Sequence, residues 1–164
     1  MSTQQKDQTY YLVKIQPWIE KVAIILLVAT GAMMLFSIPA DDLLMISLGT
    51  LSIAFFLNTR VPVEAEQTES AMGFGALLAY SILPKVTWIG ASVCVIGILF
   101  HFLGLSGAVN MLLIGGMSLS FSIGILAILF LTGTKGLGIY QPILIRVLPV
   151  AAVTGFLLIG IFKS

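Results

Sequence analysis

Charge is what this sequence has least of. Only 9% of its residues are charged, 59% are hydrophobic, and the mean hydropathy is +1.10. A soluble domain carries about 25% charged residues, so too few are present here to cover a water-facing surface. The same figures exclude a disordered chain, which is poor in apolar residues and rich in charge. Cysteine and histidine are also scarce, with one of each. A lone thiol forms no intramolecular disulfide. Cys94 lies in an apolar run with no neighbour in sequence to activate it, and it reads as a packing residue. Clustered Lys and Arg are missing too. A net charge of +1 and a pI near 7.9 leave no basic footprint for nucleic acid. Enzyme signatures are absent as well: there is no nucleophile–base pair and no HExxH motif, and the Gly-rich 132–138 stretch lacks the Walker spacing.

What is present, in 164 residues, is a series of long apolar runs. A spanning helix needs about 20 predominantly apolar residues. Apolar segments at about 22–40, 43–58, 86–104, 109–132 and 142–162, the first four of them free of charge, predict an all-α polytopic membrane protein of about five transmembrane helices, forming one domain over 1–164. The first run is too long for a signal-peptide core and follows a long polar segment, so it reads as a retained span. GLSGAVN at 104–110 is the turn-rich break inside an otherwise uninterrupted run. Pro149 is expected to kink the last helix. The apolar piece 71–83, ending at Pro84, is short for a crossing and reads as interfacial or re-entrant.

Basic residues in short loops set orientation. With five spans and a cytoplasmic N-terminus, Lys6, Lys14, Lys21, Arg60, Lys85, Lys135 and Arg146 share the cytoplasmic side, and only Lys163 falls outside. The expected location is a bacterial cytoplasmic (inner) membrane, with the C-terminus outside.

An internal repeat runs through these spans. LLMISLGTLSIAF at 43–55 aligns without gaps on MLLIGGMSLSFSI at 111–123, pairing Leu44/Leu112, Ile46/Ile114, Leu51/Leu119 and Ser52/Ser120. Gly31 and Leu35–Phe36 upstream echo Gly97 and Leu99–Phe100. The expectation is two helical hairpins in one orientation plus a C-terminal helix.

The second hairpin, ILFHFLGLSGAVNMLLIGGMSLSF at 98–121, resembles the transmembrane hairpin of the Bacteroidota gliding-motility and type IX secretion motor protein GldL and related small membrane proteins. Leu99–Phe100, Gly107–Ala108 and Met111–Gly115 carry the resemblance. The family's turn His, Trp and Pro are replaced by Gly104, Leu105 and Ser106, and its Lys by His101. Where the family holds a glutamate thought to serve ion-driven rotation, this chain has Leu119, which cannot take up a proton. The resemblance implies a related fold without inherited motor activity.

Ionisable groups inside spans are costly and stand out as functional candidates. His101 is one, to be weighed against an interfacial imidazole bonded to a carbonyl or water; no Cys, Asp or Glu stands at metal-ligand spacing from it. Arg146 is the other. It is expected to snorkel to the interface, with pairing to an acid such as Glu20, or to a lipid headgroup, as the alternative. Asp41–Asp42 reads as a solvated turn and helix cap, and Asn110 as the cap of the fourth span. Tyr10, Tyr11, Trp18 and Trp88 suit interfacial anchoring. Gly116, Ser120 and Gly124 share one face of the fourth span, with Ser118 and Ser122 beside them. Small residues at that spacing let helices approach closely, either inside the monomer or against a partner.

These features point to a small non-catalytic membrane subunit or accessory protein. Its expected partners are the lipid bilayer and other membrane subunits or further copies of itself, and no cofactor or metal is expected. A small transporter or channel component using His101 and Arg146 is the alternative.

Overall fold

The computed structural model describes residues 3–36, 40–60, 82–131 and 140–163. They form five helices: α1 Thr3–Leu35, α2 Asp41–Asn58, α3 Leu83–Phe102, α4 Ala108–Leu131 and α5 Tyr140–Lys163. Each is long and apolar enough to cross a membrane. Residues 61–81, which include most of the expected interfacial segment, lie outside the described residues.

Helix boundaries differ from the apolar runs for identifiable reasons. The apolar window of α1 is Ile15–Met33, shifted toward the N-terminus so that it takes in Glu20 and Lys21. Glu20 is tolerated because Arg146 neutralises it at 3.0 Å. Lys21 stays exposed with its Nζ 5.7 Å from the centre of the Trp18 ring. At the other end, Ala40 precedes α2 and donates no side-chain cap. Asp41 and Asp42 therefore sit in the first turn rather than at the cap, where their charge complements the helix dipole. Pro84 opens α3 instead of closing the segment before it, since proline lacks only a donor that the first turn leaves unused.

The α3–α4 connection is a tight reversal. Leu105 N–H donates to Phe100 O at 2.8 Å and Gly104 N–H to His101 O at 3.2 Å, the paired bonds of a Schellman C-cap. That motif requires a left-handed residue, and Gly104 supplies it at φ 64°. Gly107, at φ 92°, then accepts the first helical bond of α4 from Met111 N–H. Asn110 is consequently inside the first turn of α4 and exposed, not at its cap.

Helix α3 is the centre of the bundle. Two-thirds of its span is buried, against about a fifth for α1, α4 and α5. It packs against α2, α4 and α5, while α1 packs chiefly on α2. Trp88 belongs to this core, tilted against Phe55 with ring centroids 5.4 Å apart, so it is not an interfacial anchor. Trp18 is 69% exposed, as an anchor would be; the side chains of Tyr10 and Tyr11 lie outside the described set.

In a bilayer, lipid tails are as apolar as leucine, so helix association rests on close packing and interhelical hydrogen bonds. Both are visible around α3. A Cβ on Gly115 of α4 would lie 2.7 Å from Cys94 Sγ and 2.8 Å from its backbone nitrogen. One on Gly97 would lie 2.9 Å from the backbone nitrogen of Leu112. Glycine is therefore required at both positions for α3 and α4 to come this close. Between α2 and α3, Ser52 and Ser92 form a reciprocal clasp. Each hydroxyl donates to the other's carbonyl, at 3.2 and 3.0 Å, with the two oxygens 2.9 Å apart.

Candidate functional site

The two ionisable candidates sit at opposite ends of the bundle. Arg146 lies in the second turn of α5 and reaches α1, where its guanidinium donates to Glu20 Oε2 at 3.0 Å. Gln16, one turn earlier on α1, donates to the same oxygen at 3.1 Å. Glu20 is buried, while 43% of the arginine side chain remains exposed. Of the two arrangements open to it in the sequence, the structure shows the pairing of Arg146 with Glu20, with much of the arginine side chain left exposed. The arrangement ties α1 to α5 and leaves the buried carboxylate paired and hydrogen-bonded rather than isolated.

His101 occupies the last turn of α3, half-buried, with its ring edge-on to Phe102 at 6.0 Å. Gly115 abuts Cys94, and its neighbour Gly116 abuts Thr154, which fixes Cys94 and Thr154 at one level of the bundle. His101 lies seven residues above that level on α3 and Arg146 eight residues below it on α5. At 1.5 Å per residue the two are separated by roughly 22 Å along the axis. The structure does not bring them together. Among the described residues no group of three or more His, Cys, Asp or Glu could hold a metal ion.

The small-residue face of α4 divides in two. Gly116 is half-buried against α5, where a Cβ would meet Thr154 Cγ2 at 3.5 Å and Leu158 at 3.6 Å. Ser120 and Gly124 are exposed, and a Cβ on Gly124 would meet nothing within 4 Å. Ser120 lines an open groove of about 560 Å³ between α4 and α5, together with Gly116, Met117 and Phe121 of α4 and Thr154, Gly155 and Leu158 of α5. The chain's own close packing uses different positions: Gly90 and Gly97 on α3 and Gly115 on α4. Sequence reading did not single out those three as packing positions, although Gly90, Cys94 and Gly97, at i, i+4 and i+7, share one helical face.

Of the four identical pairs in the internal repeat, three have matching environments. Leu44 and Leu112 are buried, Ile46 and Ile114 are 57% and 62% exposed, and Leu51 and Leu119 are buried. Leu119, standing where the motor family carries its acid, packs on Gly90 of α3. Only the last pair diverges: Ser52 is buried in its clasp with Ser92, whereas Ser120 is uncovered. Comparison of the chain with known protein families, curated proteins and solved structures finds no match.

Proposed function

We propose that this chain is a small non-catalytic integral membrane protein that serves as a subunit or accessory of a larger membrane complex, docking through the α4 face of Ser120 and Gly124. The observation that carries this reading is the divergence of Ser52 and Ser120. On α2, this repeat position is covered by a neighbouring helix that bonds the serine. On α4, the matching position carries the same residue on a face of small residues, and no helix among the described residues covers it. A hydroxyl flanked by glycines is the composition that lets two membrane helices approach and bond. The occupant is a helix of another membrane subunit, with a second copy of this chain as the other outcome of the test.

The resemblance of the hairpin at 98–121 to a motor component supports the same reading, with Leu119 in place of the acid that motor work needs. Basic residues at the α2, α3 and α5 cytoplasmic ends favour a cytoplasmic N-terminus in a bacterial inner membrane. A transporter using His101 and Arg146 draws less support, because roughly 22 Å of packed helix separates them.

The test is co-purification in mild detergent of the wild-type chain beside Ser120→Leu and Gly124→Leu. Both substitutions add bulk to an uncovered face and leave the fold intact. A stoichiometric partner present with the wild type and lost from both variants is expected. A wild-type chain that elutes alone as a monomer, or a partner retained equally by both variants, would overturn the proposal.

A further inference from the structure

A second groove, independent of the α4 face, opens at the end of the bundle that carries the α1–α2 and α3–α4 turns. It encloses about 370 Å³ between α1, α2, α3 and α5, within the range of small-molecule sites. Leu44 and Leu51 of α2, Val95 and Phe102 of α3, Gly31 of α1 and Pro149 of α5 form its walls. Among the described residues that line it, the one polar side chain is Thr30, whose hydroxyl proton is committed to Leu26 O at 2.8 Å. Walls of this kind exclude water and polar solutes.

We propose that this groove holds one acyl chain of a bilayer lipid whose headgroup carries an ammonium group. Depth supports the acyl chain. From Leu44 to Leu51, and from Val95 to Phe102, the walls run about 10 Å along the helix axes, most of the roughly 15 Å that one leaflet's hydrocarbon occupies. The groove is thus parallel to a lipid tail and at its depth. Pro149 of α5 lines the groove along with Gly31 of α1, and its ring leaves α5 one helical hydrogen bond short there. Those two helices are tied at the other end of the groove by Arg146 and Glu20. Charge supports the headgroup. About one turn beyond Leu44, which lines the groove, Asp41 and Asp42 open α2 and are both exposed. Two carboxylates there attract an ammonium and repel a purely anionic headgroup.

The test is native mass spectrometry of the full chain in mild detergent, with phosphatidylethanolamine and phosphatidylglycerol of identical acyl composition added in turn. Wild type is expected to retain one phosphatidylethanolamine, about two- to fivefold more than phosphatidylglycerol. Gly31→Leu fills the groove without disturbing the fold, because a Cβ at Gly31 meets nothing within 4 Å; it is expected to lose the bound lipid. Asp41→Asn with Asp42→Asn is expected to keep one lipid and lose the headgroup preference. Lipid retention by Gly31→Leu equal to wild type would overturn the proposal. Equal retention of both lipids by wild type would do the same, as would a dimer that Gly31→Leu abolishes.

Discussion

Gly115→Ala is a stringent probe of how α3 and α4 are held together. The added methyl would meet Cys94 Sγ at 2.7 Å, Cys94 N at 2.8 Å and Gly90 O at 3.0 Å. Two of the three obstacles are backbone, so no rotamer change relieves them. Restoring an ordinary 3.4 Å contact from 2.7 Å requires the helices to part by about 0.7 Å. Overpacking of that size costs about 1–3 kcal/mol. Alanine also favours the helix over glycine by up to about 1 kcal/mol, and this must be separated out. Gly124→Ala provides the control, since it makes the same change of residue type on the same helix in open space. The difference between the two variants isolates the steric cost. Cys94, the chain's only thiol, is buried at this contact, so its rate of maleimide labelling in detergent reports how often α3 and α4 open. Relative to Gly124→Ala, Gly115→Ala is expected to label about 5- to 150-fold faster. Equal labelling rates would refute the reasoning, because they would mean that the helices are not in backbone contact at Gly115.

Other outcomes follow from the polar contacts. Ser52→Ala and Ser92→Ala should each destabilise the chain by about 0.5–1.5 kcal/mol in a detergent unfolding titration. The double variant should cost less than the sum, since either change breaks the same clasp. Arg146→Met leaves Glu20 buried with Gln16 alone and should cost about 1–3 kcal/mol, below the figure for a fully buried pair because the arginine is part-exposed. Adding Glu20→Gln to Arg146→Met should recover at least about 1 kcal/mol in the same titration; strictly additive costs would show that the pair is not coupled.

The fold was legible in the sequence because apolar run length and turn chemistry act locally. Five runs became five helices, and the Gly104–Gly107 turn is where glycine has to be. Boundaries were less legible where a charge is neutralised from far along the chain. Pairing of Arg146 with Glu20 was one alternative in the sequence, and only the approach of α5 to α1 decides it, so the first span was read as beginning after Lys21. Trp88 was misread because aromatic residues near span ends serve both anchoring and packing, and only the approach of Phe55 decides between them. The α4 face illustrates the same limit. Spacing marked Gly116, Ser120 and Gly124 as a close-packing surface, but whether α5 would cover it depended on where that helix lands. It covers Gly116 and stops short of the other two. Gly115, one residue away, carries the contact with α3 instead.

Photo-crosslinking in native membranes tests docking on α4 most directly. A photoreactive phenylalanine analogue placed at Ser120 or Gly124 can be compared with one at Ile53 of α2 or Ile145 of α5, which are exposed but lie off this face. A discrete, saturable adduct of one added mass from positions 120 and 124, absent at 53 and 145, is the expected result. Lipid adducts alone at all four positions would contradict it, since Ser120 and Gly124 would then face nothing but the bilayer.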